Sequence, residues 1–243
     1  GLKAEAGTAS NDGVDREDKW LQHGLAHALY FQGRHSEAAD FLRGRAPGWR
    51  RSHMHPFLFT HLWWHLALLE TEEGRSTAAL NVFDTQLWAD DTHDLEVQVN
   101  ALGLLVRLHV RMVDVGDRWD KVVAACEGAP YVHAYPLHNL LRLYALCAVG
   151  RDACRDSLIA GTAKLASEDP DGAFAQMVLP LAQAIPALFG PLEARARAQA
   201  KIASLRGTQT WAEVGGSEEQ RCFLLELVEG PVRAGVAEQP CSA

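Results

Sequence analysis

Two histidine pairs in the chain share one spacing: His23 and His27 in HGLAH, and His61 and His65 in HLWWH. Four residues are about one helical turn, so each pair projects from one side of its own helix. Imidazoles placed this way can ligate a borderline metal such as zinc, move a proton, or simply pack as hydrogen-bonded rings between helices. Seven of the eleven histidines lie between His23 and His65, which makes this stretch the one concentration of such side chains. Neither motif carries the glutamate of an HExxH metalloprotease, so the spacing alone specifies no reaction. His53 and His55 fall in a connecting segment and are expected to be exposed.

Each pair runs into an apolar stretch that ends at a Gly-Arg turn. His27 and His23 lie 6 and 10 residues before Gly33, while His65 and His61 lie 9 and 13 before Gly74. The offset of three residues is about 300° of rotation and roughly 4.5 Å of rise, so the pairs face within about 60° of one another. With neighbouring helices packed roughly 8–10 Å apart, the imidazoles can meet across one groove, and zinc accepts three or four of them. Tyr30, three residues after His27, falls on nearly the same face. Trp63 and Trp64 point about 100° apart, so one is expected to pack between hairpins and the other to face the groove. The candidate groove therefore comprises His23, His27, Tyr30, His61, Trp64 and His65, with no catalytic residue assigned.

The elements that must position these residues are helices. Glycine-centred turns recur at Gly33, Gly74, Gly116, Gly150 and Gly190, at separations of 41, 42, 34 and 40 residues, close to the period of helix-pair repeats. The apolar periodicity predicts pairs at 20–31 with 36–42, 58–71 with 77–88, 93–113 with 119–126, 136–149 with 153–166, and 171–188 with 192–205, then a last helix at 217–228. Pro180 and Pro186 lie inside the fifth pair's first helix and are expected to break it. Asp117 and Ser217 read as helix starts, and an anion-binding role for Gly215 and Gly216 lacks the strand and Lys-Ser/Thr signature of a nucleotide loop. The fold class is all-α, a TPR-like α-solenoid of about five helical hairpins plus a terminal helix. Residues 1–17 are expected to be a poorly ordered start or the remnant of a preceding hairpin, 18–230 the repeat domain and 231–243 a flexible tail.

Composition narrows the function classes. Hydrophobic residues make up 48% and charged residues 22% of the 243, ordinary values for a globular protein with a packed core. A net charge of −8 with no densely basic stretch argues against nucleic acid and anionic membranes as partners. No apolar run spans a bilayer and no secretory signal is recognisable, so a cytoplasmic location is the default expectation. Five irregularly spaced cysteines without a CxxC suggest neither a disulfide framework nor a thiolate zinc site.

Ala38 after Gly33 and Ala79 after Gly74 are the small residues that let two antiparallel helices approach, as in a tetratricopeptide hairpin. Beyond that generic repeat, the segments HGLAHALYFQGR (23–34), HLWWHLALLETEEGRSTAALNVFD (61–84), VGDRW (115–119) and GGSEEQRC (215–222) follow one another as in a known family. On them the chain resembles the tetratricopeptide-repeat protein 38 family from about Ala4 to about Gly230. The resemblance implies a fold and no activity. Family members are usually about twice as long, so the chain reads as a C-terminal portion or a shortened relative. Polar family positions are replaced here by Leu62, Asn100, Asn139, Leu141 and Cys222.

The functional expectation is a TPR-like repeat protein that binds a peptide segment or small molecule in its histidine- and aromatic-lined concave groove. The first alternative is a metal-assisted or histidine acid/base enzyme in the same groove. The second is an oligomerisation module that pairs with another copy through an apolar N-terminal face. No cofactor is expected, and a metal ion on the histidines is the one exception the residues would admit.

Overall fold

The structure is a computed structural model and describes residues 12–89, 92–127, 133 and 135–230. Among these residues the chain forms helices and turns and no strand, as the periodicity requires. No helix is long and apolar enough to cross a membrane. The expected terminal tail, and the first eleven residues of the expected N-terminal start, lie outside the described residues. The chain divides into two compact units, Gly1–Val82 and Phe83–Ala243.

The first unit contains α1 (Asp12–Phe31), α2 (His35–Arg45), α3 (Pro56–Glu72) and α4 (Ser76–Val82). Two short 3-10 turns, Ala46–Gly48 and Arg51–His53, connect α2 to α3. Pro56 opens α3, where its missing N–H costs nothing and its fixed φ suits a helix. The core joins Ala26 and Leu29 of α1, Ala38, Ala39 and Leu42 of α2, and Leu58, Leu62, Leu66 and Leu69 of α3. Ala38 and Ala39 are fully buried, and their lack of bulk allows α2 to sit closely on its neighbours. An ion-pair network ties α2 to the end of α3: Glu70, buried, accepts from Arg43 Nε at 2.8 Å and from Arg75 Nε at 2.5 Å, while Arg43 Nη2 reaches Glu73 at 2.8 Å.

The second unit begins with a π-helical turn at Phe83–Leu87, so the helix expected at 77–88 changes its hydrogen bonding after Val82. It continues through α5 (Leu95–Val110), α6 (Arg118–Glu127), α7 (Pro136–Ala148) and α8 (Asp152–Glu168). Asp94 caps α5, its carboxylate accepting from Glu96 N and Val97 N at 2.9 and 3.0 Å. The prolines break the next element as expected, into a π turn Phe174–Val178, α9 (Leu179–Ala184) with Pro180 in its first turn, and a 3-10 segment Ile185–Phe189 that contains Pro186. The unit closes with α10 (Leu192–Leu205), α11 (Glu218–Arg221) and α12 (Phe223–Glu229). Ser217 and Gln220 form a capping box at α11.

The hairpin turns have one geometry. After α1, the N–H of Gly33 bonds Tyr30 O and that of Arg34 bonds Leu29 O; Gly74 and Arg75 repeat the pattern after α3, and Gly150 and Arg151 after α7. This is the Schellman closure, which requires a left-handed residue, and these glycines have φ of 70°, 73° and 70°. After α5 the same closure is made by Met112, at φ 64°, with Val113. The predicted turn residue Gly116 is left-handed too, at φ 57°, but lies in the loop beyond. Gly190 is not left-handed (φ −88°), because the 3-10 segment before it ends without a Schellman turn. The closing positions 33, 74, 112 and 150 are thus spaced 41, 38 and 38 residues apart, more evenly than the glycines at 33, 74, 116 and 150.

Candidate metal centre

Helix α1 carries His23 and His27 one turn apart, and α3 carries His61 and His65 in the same relation. The two pairs face each other inside the first unit. Ring centroids are 5.0 Å apart for His23 and His61, 5.2 Å for His23 and His65, and 4.5 Å for His27 and His65. One ligating nitrogen from each ring can be chosen so that all four lie within 4.8 Å of one another. Zinc holds imidazole nitrogens at about 2.0–2.1 Å, which puts tetrahedral ligand atoms roughly 3.3 Å apart. Holding such an ion would require the widest of these separations to close by up to about 1.5 Å.

Neighbouring aromatics fix the ring planes. His61 lies between Phe57, stacked at 4.9 Å, and Trp64, stacked at 5.2 Å. His65 meets the edge of Trp64 at 5.0 Å, and Trp20 stands edge-on to His23 at 5.9 Å. His61 and His65 are buried at 3% and 1% exposure, whereas His23 and His27 are only half-buried. One side of the cluster is thus embedded in protein and the other is reachable. Next to His23, Gln22 accepts a hydrogen bond from Trp49 Nε1 at 2.9 Å, which locks α1 to the segment leading into α3.

Of the other two groove candidates, Trp64 is buried against His61 and His65 as part of the cluster. Trp63 takes the other direction and packs on the core, edge-on to Trp49 at 4.9 Å. Tyr30 packs against the core and stacks on His35 at 4.9 Å. Spacing had pointed to neither Phe57 nor Trp20 as a ring neighbour, although each lies one turn from a histidine, at i−4 of His61 and i−3 of His23.

A cleft of about 340 Å³ lies beside the cluster, lined by Lys19, Trp20, Met54, Leu58 and the exposed His53 and His55. Trp20 belongs to both, forming a cleft wall with its indole against His23.

The second unit has its own cysteine–histidine contact, with Cys126 Sγ 3.8 Å from His138 Nε2. It does not form a nucleophile. Burial pushes the Cys126 thiol up to about 12, and burial with the nearby Arg142 charge lowers His138 to about 4, so both stay neutral. His138 and Cys126 each point to Gln98 Oε1, at 2.9 and 3.4 Å, a packed polar knot.

No protein-family model matches the chain, and no solved structure matches it.

Proposed function

We propose that the protein is a helical metal-binding protein whose first unit holds a divalent transition-metal ion on His23, His27, His61 and His65. We further propose that the ion acts on a small molecule admitted through the cleft bordered by Trp20. The observation that carries this reading is the convergence of four imidazole nitrogens from two helices within 4.8 Å. Imidazole suits zinc, copper, nickel and iron, and the absence of carboxylate oxygens from the set favours these over calcium or magnesium. The half-exposed His23 and His27 leave one side of the set reachable, from which an ion held there would polarise a substrate oxygen or a water. This favours the metal-assisted alternative over a peptide groove, because the rings face one another as a cluster.

Elemental analysis of tag-free protein dialysed against zinc is expected to give one equivalent per chain. Cobalt substitution is expected to give the visible bands of a nitrogen-ligated, four- or five-coordinate ion. His61→Ala and His65→Ala are expected to lose both. Failure of the wild-type chain to retain stoichiometric metal after zinc loading would overturn the proposal and leave packing as the role of the rings.

We infer that the hairpins are TPR-like repeats, as the resemblance to the tetratricopeptide-repeat protein 38 family implies. The repeated Schellman closures and the fully buried Ala38 and Ala79 support this. Self-association is the second reading. It is favoured by the outer face of α1, where Leu21 and Leu25, one turn apart, are 71% and 42% exposed. Sedimentation of the wild type against Leu21→Glu tests it: a dimer that dissociates in the variant supports self-association, and a monomeric wild type overturns it.

A further inference from the structure

The second unit buries two arginines whose surroundings differ. Arg107 on α5 is fully buried and has acceptors for its charge: Glu226 Oε1 lies 2.9 Å from Nε, and the carbonyls of Gly103 and Glu219 accept from its Nη atoms. Arg142 on α7 is only 8% exposed, yet its buried Nε has no hydrogen-bond partner. No carboxylate pairs with Arg142 among the described residues. The segment leading into α7, GAPYVHA (128–134), contains no acidic residue.

Arginine cannot shed its proton to escape such a site. A buried, unmatched guanidinium is costly, and proteins meet that cost with a counter-charge. The groups around it do not supply one. His133 and His138 are both held below the usual histidine range, by burial first and the Arg142 charge second. His138 lies four residues before Arg142 and Asn139 three before it, so both share its face of α7. His138 Nδ1 is likewise buried without a partner. The orientation of this ring is fixed from the other side. Gln98 Nε2 donates to Thr92 O at 2.9 Å, which leaves Gln98 Oε1 as the acceptor for the proton on His138 Nε2. Nε is the one atom of the arginine that is sealed from solvent without a partner; the Nη fork, which is not, is the part that recognises two oxygens at once.

We propose that Arg142 is the floor of a binding site for a small oxyanion, a phosphate or carboxylate group, which approaches α7 at the Nη fork and provides the missing counter-charge. The site belongs to the second unit and stands whether or not the histidine cluster of the first binds metal. The guanidinium fork matches both kinds of group bidentately, and the surrounding wall of neutral histidine, asparagine and thiol adds no competing negative charge.

Thermal unfolding of the full chain in inorganic phosphate, acetate and chloride at matched ionic strength tests the proposal. A ligand that binds only the folded state raises Tm with its concentration, so phosphate, acetate or both are expected to raise it by several degrees above chloride. A response to phosphate alone assigns the phosphate class, and a response to acetate alone the carboxylate class. Arg142→Met is expected to abolish the response. Asn139→Asp, which places a carboxylate within one turn of the guanidinium, is expected to abolish it as well while raising Tm in chloride. That second result distinguishes a charge-binding site from a residue needed only for packing. Equal Tm values in all three salts, or an undiminished response in Arg142→Met, would overturn the proposal. Should Arg142→Met fail to fold, the decision passes to Asn139→Asp, whose retention of the full wild-type response would overturn it.

Discussion

The Nε2 atoms of His23 and His27 lie 2.8 Å apart, so one of these rings donates a proton to the other. The donor must move that proton to its own Nδ1 before it can ligate an ion through Nε2. Metal therefore competes with an internal hydrogen bond and, as the pH falls, with protons for the same nitrogens. Cobalt titrations at pH 8, 7, 6 and 5 are expected to show affinity that weakens as the pH falls. Affinity that stays flat to pH 5 would mean that the ion sits elsewhere.

Glu70 joins α3 to α2 through Arg43 and to the following turn through Arg75. Its side chain is 5% exposed, whereas those of the two arginines are 35% and 44% exposed. When Glu70 is neutralised, the arginines can turn to water, so the cost falls below that of breaking a wholly buried pair. Glu70→Gln is expected to destabilise the first unit by about 2 kcal/mol, because it weakens two charge-assisted hydrogen bonds. Glu37→Gln, whose Arg34 partner is exposed, is expected to leave stability nearly unchanged. Urea denaturation followed by tryptophan fluorescence separates the two, and equal effects would contradict this account of the network.

The Schellman turns make a paired prediction of opposite sign. A β-carbon added at Gly33 or Gly74 would meet nothing within 4 Å, but each residue has φ near +70°. Gly33→Ala and Gly74→Ala are therefore expected to cost about 1 kcal/mol each from backbone strain alone. Met112 already bears that strain and is 47% exposed, so little packing is lost on truncation. Met112→Gly is expected to stabilise the second unit by roughly 0.5 kcal/mol, the relieved strain less the added freedom of the unfolded chain. A destabilised Met112→Gly would show that its side chain contributes more than its exposure implies.

These positions also mark how far the sequence could be read. The helical spacing of His23 with His27 and of His61 with His65, plus their offset from Gly33 and Gly74, was enough to anticipate that the four rings could meet. Each step of that inference is local helical geometry. Met112 was invisible because left-handed turns are sought at glycine, and Gly116 stood four residues away as a better candidate. Gly190 looked like its counterparts, yet Pro186 turned the preceding segment into a 3-10 helix and removed the closure. Arg142, in the run LHNLLRLYAL, gave no sign of its missing counter-ion. Burial and pairing are set by what packs on α7, and no local period encodes that. The rings that stack on His61 were half legible: Trp64 was chosen for the groove side, while Phe57 was passed over at the start of its helix.

His138 makes the second unit sensitive to acid. Its ring is held near pKa 4 in the folded chain, by burial first and the Arg142 charge second, against about 6.5 when unfolded. Between these values the unfolded state binds the extra proton, so stability is complete above about pH 6.5 and is lost as the pH falls toward 4. A separation of about 2.5 units corresponds to about 3 kcal/mol at 1.36 kcal/mol per unit. In chloride buffers, denaturation from pH 8 to pH 4 is expected to show this loss, at up to about 1.4 kcal/mol per pH unit. His138→Gln keeps a side-chain donor for Gln98 Oε1 but has no group that titrates in this range. It is expected to be less stable than the wild type at pH 8 by about 1 kcal/mol and to lose less stability on acidification, so that the two curves cross at about pH 6. Parallel curves would show that the acid sensitivity arises from other groups and that the His138 ring is not held neutral by its surroundings.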